Sequence, residues 1–345
     1  MYASARIAAS RRPLPGLHRP FSSSSGPPPA SVLHSEWIHG GRVGSDLPSG
    51  GGGGTVVFLH GLLGSGKNLR MPAKRLTVAR PDLTALLFDL RGHGQTSARG
   101  TLGRVGGVGG NTLAALADDV VRTVRHLGLV GPRGSPVGIV GHSLGGRVAL
   151  EYVRALQNGD LPSAGGGGSE VQPPGSAWIL DSVPGQAHAS VADVVKAISG
   201  VPLPVASKRD LVEELVDRRG VSNEIALWMT TNLVKAADGN GFVWAFDLDI
   251  ANDLLEDFPA QDFFGLVRGV GAKFESFPSR INVVMAGKTE AWTPSVVGEL
   301  GKIRETSLPS TDPFLNMHWL PEAGHNVHVD DLDGLMKLLE SGFRQ

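Results

Sequence analysis

The sequence predicts an α/β fold: a mostly parallel central sheet, helices on both of its faces, and an inserted helical cap. Three observations carry this. From residue 55 to residue 186, short apolar runs alternate with stretches of helical period, the pattern of strands joined by crossover helices. Over residues 187–275 the alternation stops and gives way to helical segments and an aromatic-rich stretch, Phe242-Val243-Trp244-Ala245-Phe246. It then resumes with Ile281-Asn282-Val283-Val284-Met285 and closes on a helical pattern over 332–343. The expected organisation is a tail and linker over 1–35, the first part of the core over 36–186, the cap over 187–275, and the second part of the core over 276–345.

The tail carries Arg6, Arg11, Arg12 and Arg19 and no acidic residue before Glu36, with serines at 22–25. That composition fits an organellar transit peptide, and it lacks the apolar segment of a secretory signal. Arg19-Pro20-Phe21-Ser22 resembles a mitochondrial processing site, so a mitochondrial destination is expected, with plastid or cytoplasm as alternatives. Pro27 to Pro29 then form a stiff linker. Thr55-Val56-Val57-Phe58-Leu59 is a buried strand by composition, followed by the loop His60-Gly61-Leu62-Leu63-Gly64-Ser65. A helix is predicted over 67–79, a strand over 84–88, and a helix over 113–127 with Leu113, Leu116, Val120, Val124 and Leu127 on one stripe. The strand 177–180 ends at Asp181. Inside the cap, helices are predicted over 191–198, 210–219 and 222–235. A helix over 295–304 and a strand over 316–320 complete the second part. Glycine tracts at 50–54, 100–110 and 165–168, among 48 glycines in 345 residues, read as flexible surface loops.

The chemistry centres on Gly141-His142-Ser143-Leu144-Gly145-Gly146. A strand is predicted just before it, over 136–140, and a helix just after it, over 147–157. A strand turning straight into a helix around G-x-S-x-G forms a nucleophile elbow, with Ser143 strained and its hydroxyl raised above the sheet edge. The free N–H groups and dipole at the helix start favour a developing oxyanion there. Serine needs an adjacent base, and a loop late in the fold, Gly324-His325-Asn326-Val327-His328, supplies His325; His328 is its rival. The acid is expected to be Asp181, at the carboxyl end of the strand after the elbow helix, or Glu290, after the next core strand. The oxyanion donors are expected from the backbone N–H groups of Leu62 and Leu144.

Two clusters invite other readings. Residues 61–67 spell G-x-x-x-x-G-K, but Asn68 stands where a phosphate-binding loop needs a hydroxyl for magnesium. Asp89-Leu90-Arg91-Gly92-His93-Gly94 could suggest a metal, yet one aspartate and one histidine are too few ligands. A turn braced by Asp89 and Arg91 is the expected arrangement, with His142 filling space beside the elbow.

Four segments, His60 to Ser65, Asp89 to Gly94, Gly141 to Gly146 and Ala323 to His328, resemble the α/β-hydrolase superfamily. Within it the chain is similar to the esterase group that contains YbfF and abhydrolase domain-containing protein 11. That group reads G-H-x-V-H in its last loop and Asp-x-x-Pro after the elbow, as in Asp181-Ser182-Val183-Pro184. The resemblance implies an α/β-hydrolase fold and cofactor-free hydrolysis of carboxylic esters or thioesters. It also implies a hydroxyl residue, here Thr289, where other members place the acid, which favours Asp181 over Glu290.

Bulk properties bound the rest. A net charge of −1 offers no electrostatic case for a nucleic-acid partner. The absence of cysteine excludes disulfides, thiol nucleophiles and cysteine–zinc sites. No apolar run reaches membrane-spanning length. The expected activity is a serine hydrolase acting on a small acyl ester or lipid-like substrate, without cofactor or metal; the alternatives on the same fold are a ligand-binding or complex-protecting protein with little turnover, or an acyltransferase. Trp228, Phe242, Trp244 and Phe246 of the cap are expected to form its apolar pocket.

Overall fold

The computed structural model describes residues 32–44, 53–98, 110–160, 170–184, 189–306 and 313–343. The arginine-rich tail to residue 31, and the glycine tracts at 50–52, 100–109 and 165–168, lie outside those residues. The chain begins with β1 (His34–His39), β2 (Arg42–Gly44) and β3 (Thr55–Leu59), then α1 (Arg70–Ala79), β4 (Thr84–Asp89), α2 (Gly94–Ala98), α3 (Leu113–His126) and α4 (Gly131–Gly134). There follow β5 (Gly138–His142), α5 (Leu144–Asn158), β6 (Ser176–Leu180), α6 (Ala189–Ser199), α7 (Lys208–Asp217), α8 (Asn223–Thr230), β7 (Leu233–Lys235) and β8 (Phe242–Trp244). The last part holds α9 (Leu248–Asp257), α10 (Phe263–Ala272), β9 (Arg280–Ala286), α11 (Pro294–Thr306), β10 (Leu315–Leu320), α12 (Val327–Asp330) and α13 (Leu332–Gly342).

Among the described residues, eight strands form one sheet in the order β10-β9-β6-β5-β3-β4-β1-β2. It is parallel from β10 to β4, and β1 and β2 add an antiparallel edge. Alternating side chains feed two apolar layers. Val57, Leu59, Phe88, Ile139, Ile179 and Val283 face a cluster shared with α3, α5 and α10. Val56, Phe58, Leu87, Val140, Leu180 and Val284 face another shared with α1 and α13. Burial on both faces is why these strands are continuous apolar runs rather than alternating ones. The expected mostly parallel sheet with helices on both faces is what the structure contains.

Two expectations need correction. The tail-and-linker segment does not run to residue 35. Val32 and Leu33 are buried, Leu33 N donates to Thr123 Oγ1 (2.9 Å), and His34 and Ser35 already pair with Asp89 and Phe88 of β4. Polar residues such as His34, Ser35 and Glu36 hide this strand, because an antiparallel strand near a sheet edge has one face toward solvent. The helix predicted over 222–235 stops at Thr230, and Leu233–Lys235 pairs antiparallel with Phe242–Trp244. The intervening turn uses Gly239 and Gly241 at φ +78° and +82°, a conformation that favours glycine. The cap cluster gathers residues of α6, α7, α8, β7 and β8. Helix α10, within the stretch expected as cap, joins the core cluster beside α5 through Phe263, Leu266, Val267 and Val270.

Candidate active site

Strand β5 turns into α5 within one residue. Ser143 sits at φ +52°, ψ −117°, a region that costs a non-glycine residue of order 1–3 kcal/mol. The turn is held because Ser143 N donates to Leu180 O (2.9 Å) and Gly146 N to Ser143 O (2.9 Å). Close approach demands glycine at position 145, where a Cβ would run into the Leu59 carbonyl oxygen.

At the end of β6, Asp181 is fully buried and also has positive φ, +42°. Four donors surround its carboxylate. Ala286 N (3.0 Å) and Trp292 Nε1 donate to Oδ1; Thr289 Oγ1 (2.9 Å) and His325 Nδ1 (2.8 Å) donate to Oδ2. A buried charge needs this degree of hydrogen bonding to be tolerated. Glu290 is exposed, while its neighbour Thr289 reaches the carboxylate. Sequence reasoning missed Trp292, which lacks any motif to mark it.

His325 lies in the loop after β10, and its imidazole is bonded through Nδ1 to Asp181. Ser143 and His325 border the same two cavities. His328, the rival, lies one turn on in α12, its ring 4.6 Å from that of His142. His142 does more than fill space: its Nε2 donates to the His325 carbonyl (2.8 Å), tying the elbow to the histidine loop. Burial pushes its pKa well below the ordinary histidine value, aided by His328 and His325 nearby.

Leu62 and Leu144 both line the cavity at Ser143. The loop carrying Leu62 is fixed by two histidines. Leu90 N donates to His60 Nε2 (2.9 Å) and Leu63 N to His93 Nε2 (3.1 Å). An accepting Nε2 puts each proton on Nδ1, which then donates to Gly61 O and Arg91 O respectively. Both imidazoles are therefore neutral in the folded state. The would-be phosphate loop is filled internally: Gly66 N donates to Asp89 Oδ1 (2.7 Å) and Ser65 N to Asn68 Oδ1 (2.7 Å), which puts a carboxylate where an anion would have to sit. Asp89 also accepts from Gln95 N, and Arg91 forms a buried two-pronged pair with Asp119, so both brace the turn. Among the described residues no group of three or more His, Asp or Glu is placed to hold a metal, and no helix is long and apolar enough to cross a membrane.

Of the four cap aromatics, Trp228 lines the larger cavity. Phe242, Trp244 and Phe246 do not. Trp244 stacks on Phe246 at 5.3 Å, Phe246 lies against His93, and Phe242 packs within the cap cluster. The hairpin turns this aromatic stretch into the cap's own core, which corrects its expected pocket role.

The family model of the Alpha/beta hydrolase family matches residues 56–337. The chain belongs to that family. Among curated relatives of this hydrolase, sn-1-specific diacylglycerol lipase ABHD11 of Mus musculus is 26% identical over 295 residues, 83% of this chain and 80% of the relative. Protein phosphatase methylesterase 1 of Neurospora crassa is 25% identical over 317 residues, 81% of this chain and 62% of the relative. Among solved structures, E-2-(acetamidomethylene)succinate hydrolase superposes with a TM-score of 0.60 at 15% identity, covering 90% of this chain and 98% of that one, a likeness of fold. The hydrolase thus has lipase and esterase relatives across most of its length.

The neutral histidines make this hydrolase acid-sensitive. Burial pushes His60 down to about 4 against the opposing Gly61 carbonyl, and pushes His93 down to about 3 with His60 adding to the effect. Both folded values lie below the ordinary 6.5, so the unfolded chain binds more protons below that pH. The stability they confer is present above pH 6.5 and is lost as pH falls from there through 4 and 3. At about 1.4 kcal/mol per unit, His60 alone accounts for roughly 3 kcal/mol. The urea midpoint is expected to hold steady from pH 8 to 7 and to drop steeply between pH 6 and 4. A midpoint unchanged down to pH 4 would contradict this account.

Proposed function

We propose that this protein is a serine hydrolase that cleaves carboxylic esters or thioesters of a small acyl or lipid-like substrate through an acyl-enzyme. The observation that carries the reading is the bond between His325 Nδ1 and the buried, four-donor carboxylate of Asp181, on a cavity that Ser143 shares. His325 Nε2 takes the proton of Ser143 as Oγ bonds to the carbonyl carbon. The oxyanion is received by the N–H groups of Leu62 and Leu144. The next three donors of the Leu62 loop are engaged elsewhere, Leu63 N with His93, Gly64 N with Gly61 O and Ser65 N with Asn68. Protonated His325 returns the proton to the leaving oxygen or sulfur as its bond to the acyl carbon breaks. Water then gives a proton to His325 as its oxygen bonds to the acyl carbon, and His325 returns that proton to Ser143 Oγ as the acyl–Oγ bond breaks and the acid leaves. Asp181 orients the imidazole and offsets its charge when protonated. No cofactor enters the scheme.

Covalent labelling with a fluorophosphonate probe tests the reading. The wild type is expected to label and the Ser143→Ala variant to remain blank. Equal labelling of both, or of neither, would reject it. The acidic-free stretch with Arg6, Arg11, Arg12 and Arg19 supports delivery to mitochondria. A reporter fused behind residues 1–35 should co-localise with a mitochondrial dye, and a plastid or cytosolic signal would overturn that destination.

A further inference from the structure

Two cavities of very different size meet at Ser143, and Leu62, Val191 and His325 border both. The smaller holds about 20 Å³ and is closed by Leu144, Val183, Leu254, Leu255 and Phe258. The larger holds about 400 Å³ and extends past Asn68, Ile225 and Trp228 and along Asn326, His328 and Val329. A space of about 10–15 Å³ on this measure admits one water-sized group, so the smaller slot takes roughly a methyl or ethyl group. The larger cavity falls in the range that encloses a whole organic ligand, about 300–1,000 Å³.

The walls of the small slot are not free to give way. Arg147, fully buried on α5, donates to Phe258 O (2.8 Å) and Val183 O (2.6 Å), and its guanidinium lies 3.6 Å from the centre of the Phe258 ring. One side chain thereby fixes two of the five walls. Leu254 and Phe258 belong to the close-packed core cluster as well.

The position of the imidazole decides which limb of an ester goes where. Nδ1 faces Asp181, a residue of the small slot, so the proton-donating Nε2 is on the far side of the ring. The residues that follow His325 in the chain, Asn326, His328 and Val329, line the large cavity. A leaving group must receive its proton from Nε2, which puts it in the large cavity and the acyl group in the small slot.

Building on the proposed serine-hydrolase reading, we infer that the substrate is an ester or thioester of a very short acyl group, acetyl or propionyl, with a large, mainly apolar alcohol or thiol. Arg147 is a positioning residue that sets the acyl limit through Val183 and Phe258. The reaction that supplies this substrate must be a short-chain acylation of a bulky alcohol or thiol.

Two ester series on the full-length protein test this. With nitrophenol as the fixed leaving group, kcat/KM is expected to fall at least tenfold from acetate to hexanoate. With acetyl as the fixed acyl group, it is expected to rise at least tenfold as the alcohol grows from methyl to decyl. Leu255→Ala, on the cap side of the slot, is expected to raise the hexanoate-to-acetate ratio at least tenfold. Trp228→Ala should instead raise KM for decyl acetate while leaving the hexanoate-to-acetate ratio in place. Arg147→Met should relax the acyl limit in the same sense as Leu255→Ala, and Leu255→Ala alone suffices if the arginine variant does not fold. A wild type that labels with the fluorophosphonate probe but prefers hexanoate or longer would overturn the limb assignment and leave the hydrolase reading standing. Absence of both labelling and turnover would overturn the two together.

Discussion

Ser143→Ala is expected to lower kcat on any accepted ester by a factor on the order of 10⁵–10⁶, the loss typical when the nucleophile of a cooperating triad is removed. The change deletes one oxygen from a residue whose backbone is dictated by its neighbours. Ser143 N is held by Leu180 O, and Gly145 leaves room beside Leu59 O. The fold should therefore survive, although alanine inherits the strained φ of +52°. Substrate binding should survive as well, because both cavities are walled by other residues. Burst kinetics and circular dichroism on the same preparation separate chemistry from folding. A variant retaining a tenth of wild-type turnover would remove Ser143 from the mechanism.

Asp181→Asn is expected to cost about 10⁴-fold in kcat. Its carboxylate accepts from Ala286 N, Trp292 Nε1, Thr289 Oγ1 and His325 Nδ1. An amide has one oxygen and one NH₂ group, so at least one of these donors would confront another donor. If that donor is His325, the imidazole must flip its tautomer and can no longer take the proton from Ser143. Glu290→Gln changes an exposed side chain and should leave kcat within a factor of two. The reverse pattern in steady-state kinetics, a large loss for Glu290→Gln and near wild-type kcat for Asp181→Asn, would move the acid to position 290.

Parts of this molecule that depend on local backbone geometry were legible in the sequence. G-x-S-x-G between a strand and a helix reports a turn that only small neighbours allow, and the structure shows that turn at Ser143. The apolar runs at 56–59, 139–140 and 283–286 report strands covered on both faces, and the sheet covers them. The chain was less readable where neighbours come from afar. Strand β1 is hard to separate from the tail, because His34, Ser35 and Glu36 open it without an apolar run and only its distant partner β4 identifies it. The stretch 233–244 reads as helix followed by aromatic pocket, yet hairpin pairing makes it the cap's internal packing.

By itself, the sequence determined the fold class, the elbow and the short set of residues from which a site could be assembled, since each rests on periodicity or on the steric demand of one turn. Tertiary structure alone decided that Trp292 and Thr289 join His325 on the Asp181 carboxylate, that His60 and His93 are neutral, and that Arg147 fixes the wall of a narrow slot. Those outcomes depend on side chains that meet from β6, β9, α5 and the loops beyond them. Their hydrogen bonds and burial exist only once the strands are side by side, and no spacing along the chain encodes them.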